Sequence, residues 1–505
     1  MSYKGSGQTF AYWMEHPVEF PAHKLAKNLS TDVCIVGAGI AGLLTAYFLL
    51  QQGKKVVILE AREIAGGETS RTTAHLSNVL DDRFTHLEKL FGKENARLAA
   101  ASHTVAIDEF ERIIHKENAA CDFERVDSYL FGDFKELEEE KIAASEAGLK
   151  VEFINKAPLP DYNTGTCLHF SRQAQFHPLK FLAALKELVL AAGGEIYTHT
   201  PVVEYTDDEF VSATTDQQHT VTAKHLVFAT NTPINNRVIL HSKIAPYRTY
   251  AIAGLCAKTY VPKALYYDTL EPYHYVRVQP FDEIHDLLIV GGEDHKTGQE
   301  KNPEERFTAL ESWARERFPR VQEYAYRWSG QVFEPVDSLA YIGRNPLDRQ
   351  TYIITGDSGH GMTHAMIGAL LIRDLISGIK NPWEQLYDPS RKTVMAAGEY
   401  LKENANVAVQ YVDWLSSGEA EAVQDIPRGE GAVMREGLQK LAVYKDGQGN
   451  VHTYSAVCPH LGCIVEWNSV EKSWDCPCHG SRFSCKGKVL CGPAITPLAS
   501  IGNNT

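Results

Sequence analysis

Apolar and polar positions alternate along this chain in blocks that outline its elements. Residues 32–36, DVCIV, form a short apolar run with β-branched members, the pattern of a buried parallel strand. The glycine-rich GAGIAG follows at 37–42, then LLTAYFLLQQGK with helical spacing and length, then VVILE at 56–60 as a second apolar run. Strand, glycine turn, helix and strand make one βαβ unit. Residues 83–150 mix helical periodicity with charge, as in KELEEEKIAASEAG. Residues 179–192 predict another helix, ended by Gly193 and Gly194. EIYTHTPVVEY and HLVFAT alternate as strands do, and residues 245–295, rich in tyrosine and β-branched side chains, predict an antiparallel sheet. TYIITGDSGHG at 351–361 is strand and glycine turn once more, and HAMIGALLIRDLISG is a helix. A polar-amphipathic stretch runs from Asp388 to about residue 416, and SSGEAEAVQDIPRGEG (416–431) reads as a linker into a small β-rich domain.

The chain has 505 residues, and one hydrophobic core seldom grows past roughly 250–300 residues, so two or three domains are expected. Hydrophobic residues make up 44% and charged residues 23%, which excludes a wholly disordered or fibrous chain. The net charge of −14 argues against a broad nucleic-acid surface. No apolar run is long enough to span a membrane, and the first residues lack the apolar stretch of a signal peptide, so a soluble, cytoplasmic protein is expected. Residues 421–505 hold as many acids as bases, so the excess acid lies entirely upstream, as in two units of different origin.

Gly37, Gly39 and Gly42 spell G-x-G-x-x-G between strand and helix. Gly37 permits the tight turn, Gly39 lets backbone approach a pyrophosphate, and Gly42 lets helix and strand pack closely. Glu60 ends the second strand, 18 residues after Gly42, where a carboxylate can accept hydrogen bonds from a ribose. A dinucleotide is therefore expected here.

Four further stretches carry a resemblance. AREIAGGETSRTTAHLSN, FHPLKFLAALKELVLAAGGEIYTHTPV, TAKHLVFATN and TGDSGHGMTHAMIGALLIRDLISG, in that order over about residues 30–385, resemble the glycine oxidase and D-amino-acid oxidase superfamily of FAD enzymes. Asn231 stands where that superfamily usually has glycine. The resemblance implies FAD on Gly37, Gly39, Ile40, Ala41, Gly42, Glu60, Ala61 and Arg62 at the pyrophosphate and ribose. It implies Thr69, Ser70, Arg71 and Thr72 near the ring and Val203 by the adenine, with Ala229, Thr230, Gly356, His360, Gly361 and Met362 completing the cradle. Some relatives tether flavin through a histidine near this loop; His75 is out of register with it, and a non-covalent flavin is expected.

Six cysteines crowd into residues 458–491. Cys458 and His460, fifteen intervening residues, then Cys476 and His479 offer two thiolates and two imidazoles, the ligands of a Rieske 2Fe–2S centre. A mononuclear zinc site also takes two cysteines and two histidines. The full pair CPHLGC and CPCHGS resembles Rieske proteins of respiratory cytochrome complexes. That resemblance implies a disulfide between Cys463 and Cys478, a closing proline loop at GPAITPLAS, and a serine, Ser481, bonded to a bridging sulfide. Phe483 stands where the family usually has a tyrosine, which implies a lowered potential. Cys485 and Cys491 lie outside the pattern and are expected to be inert.

Asp357, His360 and His364 read like the facial triad of an iron oxygenase, yet they lie inside the flavin-like segment, and the oxygenase domain order is the reverse. The expected fold class is α/β plus β: a Rossmann-like FAD-binding domain with an antiparallel-sheet substrate domain over 30–390, then a small all-β Rieske domain over 431–505 after a helix and linker at 391–430. The FAD-binding parts are expected near 30–80, 150–235 and 335–380, and the substrate parts near 81–149 and 236–334.

A flavin accepts two electrons together and a Rieske cluster carries one. The expected activity is thus a dehydrogenase for a small amine or amino acid, with electrons leaving singly through the cluster to an acceptor protein or quinone. Arg277, on one strand face with Tyr273 and Tyr275, is the candidate to hold a substrate carboxylate. A pure electron-transfer flavoprotein and a redox sensor are the alternatives.

Overall fold

A computed structural model describes residues 5–234 and 238–501. The strand Leu29–Val36 buries its last four residues and sits inside an eight-stranded sheet. It pairs in parallel with Val56–Leu59 on one side and Thr220–Asn231 on the other. The sheet continues to Glu195–Tyr197 at one edge, and through Thr351–Thr355 to the antiparallel strand Tyr341–Arg344 at the other. Strands buried on both faces need apolar cover. The helix Ile40–Gln51 gives it: ten of its twelve residues are buried, and it packs against Pro178–Ala191 and Gly361–Ser377.

The second sheet has nine strands and holds the tyrosine-rich segment. Tyr326–Pro335, Ile244–Ala257, His285–Lys296 and His274–Pro280 run antiparallel in that order, then come Leu265–Asp268, Glu124–Phe131, Cys167–Gln175 and His75–Leu76. The helix Pro303–Arg317 packs against Ile244–Ala257 and His285–Lys296. One boundary is corrected here. Val151–Ile154 and Cys167–Gln175 belong to this second sheet, because Glu124–Phe131 pairs with Cys167–Gln175. Alternation along a strand shows that it is half-buried, not which sheet it joins.

The C-terminal unit has a three-stranded sheet (Glu430–Glu436, Gln439–Lys445, Val451–Ser455) and a four-stranded one (Glu466–Asn468, Ser473–Asp475, Arg482–Ser484, Val489–Cys491). The preceding stretch is no loose tether. Ala397–Gln410 is a helix, Tyr411 donates to Leu461 O at 2.7 Å, and Trp414 Nε1 donates to Gly462 O at 3.1 Å. Among the described residues no helix is long and apolar enough to cross a membrane.

Candidate functional site

A cavity of about 850 Å³ is lined by both large sheets and by residues 488–492 and 494–497 of the C-terminal unit. At one wall stands the glycine turn. Gly37 has φ +108°, and a Cβ there would lie 2.4 Å from Ala229 O. A Cβ on Gly42 would lie 1.9 Å from Gly37 O, so only glycine lets the helix begin this close to the strand. Gly39 caps the helix without a side-chain bond, which leaves first-turn N–H groups for an anion. Glu60 accepts from Ala38 N at 2.8 Å and Arg62 N at 2.9 Å, at the mouth of the turn. Thr69 Oγ1 accepts from Ile40 N at 3.2 Å.

Ile40, Ala41, Ala61, Arg62, Thr72, Val203, Ala229 and Thr230 line the same cavity, as do His360, Gly361 and Met362 at the start of the helix Gly361–Ser377. Three expected contacts stand behind it. Gly42 is packed on the turn, the Ser70 hydroxyl donates to Gly67 O, and Gly356 packs near Pro335. Arg71 touches the cavity, but its guanidinium is turned away, bonded to Glu471, Thr9 and Ser329. The cradle geometry and the long cavity fit FAD.

The far end of the cavity is the face of the second sheet. Tyr273 and Tyr275 line it, with Thr249, Tyr267 and Asp294. Gly291 lies under the Tyr275 ring, where a Cβ would come within 2.1 Å of the ring. Burial and Arg277 hold the His75 imidazole neutral, at about 3. Burial pushes Asp357 up to about 6.

Arg277 does not reach this cavity, which corrects the expectation that it holds a substrate carboxylate. It is fully buried and donates to Thr73 O, Ala74 O and Phe176 O at 2.9, 2.8 and 3.2 Å, and to Gln279. Its role is to hold the 73–74 loop against the sheet. The Asp357, His360 and His364 set does not converge either. His360 Nε2 accepts from Asp81 N, and His364 Nδ1 is bonded to Asp357 O.

In the C-terminal unit the two loops meet. Cys463 and Cys478 form a disulfide. Cys458 and Cys476 lie within hydrogen-bonding reach of each other, and the His460 and His479 rings are 5.1 Å apart, edge to face. Both Nδ1 atoms are buried with no hydrogen-bond partner. Orphaned imidazole nitrogens beside paired thiols fit a 2Fe–2S cluster, with Cys458 and Cys476 on one iron and His460 and His479 on the other. Ser481 Oγ accepts from Ala494 N of the proline loop at 3.0 Å, and Phe483 is buried.

The cluster end is docked on the flavin end. His241 packs 4.7 Å from the His460 ring and 6.1 Å from that of His479. Gln331 lines the cavity, and its Nε2 donates to Gly480 O at 2.9 Å, one residue past the ligand His479. Arg62 Nη1 donates to Leu490 O at 2.5 Å. Glu471, wholly buried, accepts from Arg71 at 3.1 Å, Arg248 at 3.2 Å, Gln8 N at 2.7 Å and Thr9 N at 3.1 Å.

Comparison with known proteins completes the assignment. The family model for FAD dependent oxidoreductases matches residues 32–375, more than half of the chain. The chain belongs to that family. Beyond the part matched as an FAD dependent oxidoreductase, a Rieske [2Fe-2S] domain model matches residues 416–502. The chain is 30% identical over 489 residues to a Bacillus subtilis (strain 168) protein named as the Rieske 2Fe-2S iron-sulfur protein YhfW, covering 95% of each chain. It is 25% identical to the gamma-glutamylputrescine oxidoreductase of Escherichia coli (strain K12), over 71% of this chain and 86% of that one. Its fold is like that of glycine oxidase from Geobacillus kaustophilus, with a TM-score of 0.61 and 17% identity over 72% of this chain and all of that one. The cofactors of this FAD dependent oxidoreductase are thus FAD and a 2Fe–2S cluster.

Sequence reasoning missed Asp81, Asp294, Gln331, His241 and Glu471 as site or docking residues. All are joined to their partners by long-range contacts with no local pattern. The one usable signal was GGED at 291–294, two glycines followed by acids at the end of a strand.

Proposed function

We propose that the protein is a dehydrogenase of a small amine or amino acid, with electrons leaving singly through the Rieske cluster to an external acceptor protein or quinone. When bound, FAD supplies a hydride acceptor and the 2Fe–2S cluster a one-electron carrier. The observation that carries the reading is the Gln331 bridge, in which one side chain belongs both to the cavity wall and to the loop of a cluster ligand. Tyr273 and Tyr275 wall the cavity above the glycine-backed sheet, giving a substrate a rigid apolar surface. The relative named for gamma-glutamylputrescine supports an amine as the substrate type.

The test is anaerobic. Amines and amino acids are added to purified holoprotein, flavin bleaching is followed by absorbance, and the reduced cluster by electron paramagnetic resonance. Bleaching together with a growing Rieske signal supports the reading. Bleaching with a cluster that stays oxidised, or no bleaching by any donor of this class, refutes it.

A further inference from the structure

The substrate end of the cavity is acidic. Asp81, Asp294 and Asp357 line it, and Tyr273 Oη donates to Asp81 Oδ2 at 3.5 Å. Among the described residues the arginines and lysine that line the cavity are Arg62, Arg71 and Lys488. Arg62 is bonded to Leu490 of the C-terminal unit, Arg71 to Glu471, and Lys488 stands on the C-terminal unit itself. None of them belongs to the substrate sheet. Of the arginines on that sheet, Arg277 is spent on backbone carbonyls behind the cavity and Arg248 on Glu471 and Ser329.

An α-carboxylate placed among those aspartates would meet like charge, and none of the cavity's lining arginines or lysine stands on that sheet to offset it, which is unfavourable in a partly buried site. A second feature is more specific. Asp294 reaches the cavity at the end of the strand His285–Lys296, and its Oδ1 is buried with no hydrogen-bond partner. Thr249 bonds the Asp294 carboxyl, and Tyr275 Oη in turn lies 2.9 Å from Thr249 Oγ1. A buried carboxylate oxygen without a donor costs free energy until something fills the place. Burial, with Asp81, Glu271 and Glu293 nearby, pushes Asp294 up to about 7, and an ammonium group beside it would remove that penalty. The aromatic wall suits the same ligand, because Tyr267, Tyr273 and Tyr275 offer ring faces to a cation and its methylene chain.

Resting on the dehydrogenase reading, we infer that the substrate is a diamine-like amine without an α-carboxylate, whose second, non-reacting ammonium is held by Asp294. Asp294 sets specificity and takes no part in the bond-breaking step.

Three ligands differing by one group each decide the matter on the holoprotein. Cadaverine carries two ammonium groups, lysine adds an α-carboxylate to it, and pentylamine lacks the second ammonium. Calorimetric titration gives affinity, and anaerobic flavin bleaching gives reactivity. Cadaverine is expected to bind at least about tenfold tighter than lysine and than pentylamine, the size of one charge-assisted bond. Asp294→Asn is expected to lower cadaverine affinity about tenfold more than pentylamine affinity, erasing the preference between them. The wild-type comparison needs no variant to fold, and flavin content checks that Asp294→Asn has folded. Lysine binding as tightly as cadaverine, no binding by cadaverine, or an equal loss for both amines in Asp294→Asn overturns the inference. If cadaverine shows the preference but none of the three bleaches the flavin, the inference about recognition stands and the dehydrogenase reading falls.

Discussion

Replacing Glu471 by alanine cuts the joint between the two halves of the molecule at its most buried point. The Glu471 side chain has no exposure, and neither do those of Arg71 and Arg248, its ion-pair partners at 3.1 and 3.2 Å. It also accepts two backbone N–H bonds from Gln8 and Thr9 and hydroxyl bonds from Thr9 and Ser329. Glu471→Ala leaves two guanidinium groups and several donors without their acceptor. Breaking a buried ion pair from one side costs about 3–5 kcal/mol, and that is the expected loss here. Glu471→Gln keeps the shape and some bonds, so its loss is expected to be smaller. Burial alone would raise the Glu471 carboxyl, but Arg71, Arg248 and Arg482 together hold it well below the usual glutamate value of 4.5. Its stabilisation is therefore present above that value and drains away as pH falls below it. Thermal unfolding across pH 3–8 checks this: the gap between wild type and Glu471→Ala is expected to be widest near neutrality and to shrink on acidification. The same variant, reduced anaerobically with substrate, is expected to show bleached flavin with a slowed Rieske signal. A variant within about 1 kcal/mol of wild type at pH 7, with both centres reduced together, would refute the joint as described.

Phe483→Tyr adds a hydroxyl at a buried site in the cluster unit. A hydrogen bond to cluster sulfur of about 1 kcal/mol corresponds to about 40 mV for a one-electron couple, so the potential is expected to rise by that order in a redox titration. Gly42→Ala places a Cβ 1.9 Å from Gly37 O and is expected to abolish flavin retention, read as the ratio of flavin to protein absorbance after gel filtration. Ser358 Oγ lies 2.7 Å from Glu334 and 2.8 Å from Asp82, and its one proton can go to only one of these half-buried carboxyls. Burial, then Asp82, raises the Glu334 carboxyl well above 4.5, which makes the fold lose stability as pH rises past that value. Glu334→Gln is expected to raise the melting temperature at pH 8 and to leave it unchanged at pH 4.

The motifs that read clearly were those whose chemistry is local. GAGIAG must be a turn between strand and helix because three glycines allow backbone contacts no side chain permits, and the structure has 2.4 and 1.9 Å approaches there. The two C-x-H and C-x-x-H loops carry their own ligand spacing. Tyr273, Tyr275 and Arg277 were expected on one strand face; the strand His274–Pro280 holds Tyr275 and Arg277 and begins just after Tyr273, and alternation says nothing of what covers the face. Two tyrosines reach the cavity, while Arg277, further along, lies beneath residues 73–74 and 5.4 Å from the Trp13 ring. The Glu471 joint draws on Gln8, Arg71, Arg248 and Ser329, hundreds of residues away in the chain. Those partners are fixed by the tertiary fold alone. Near the start of the chain, Gln8 and Thr9 wedge between the two units and Trp13 Nε1 donates to Thr72 O at 2.6 Å.

Residues 488–492 and 494–497 form part of the cavity wall, so the small iron–sulfur unit doubles as the lid of a cofactor vault. The loops that carry the candidate cluster ligands are thus continuous with that wall, so a disturbance of the iron–sulfur unit is expected to be felt as a change in flavin retention.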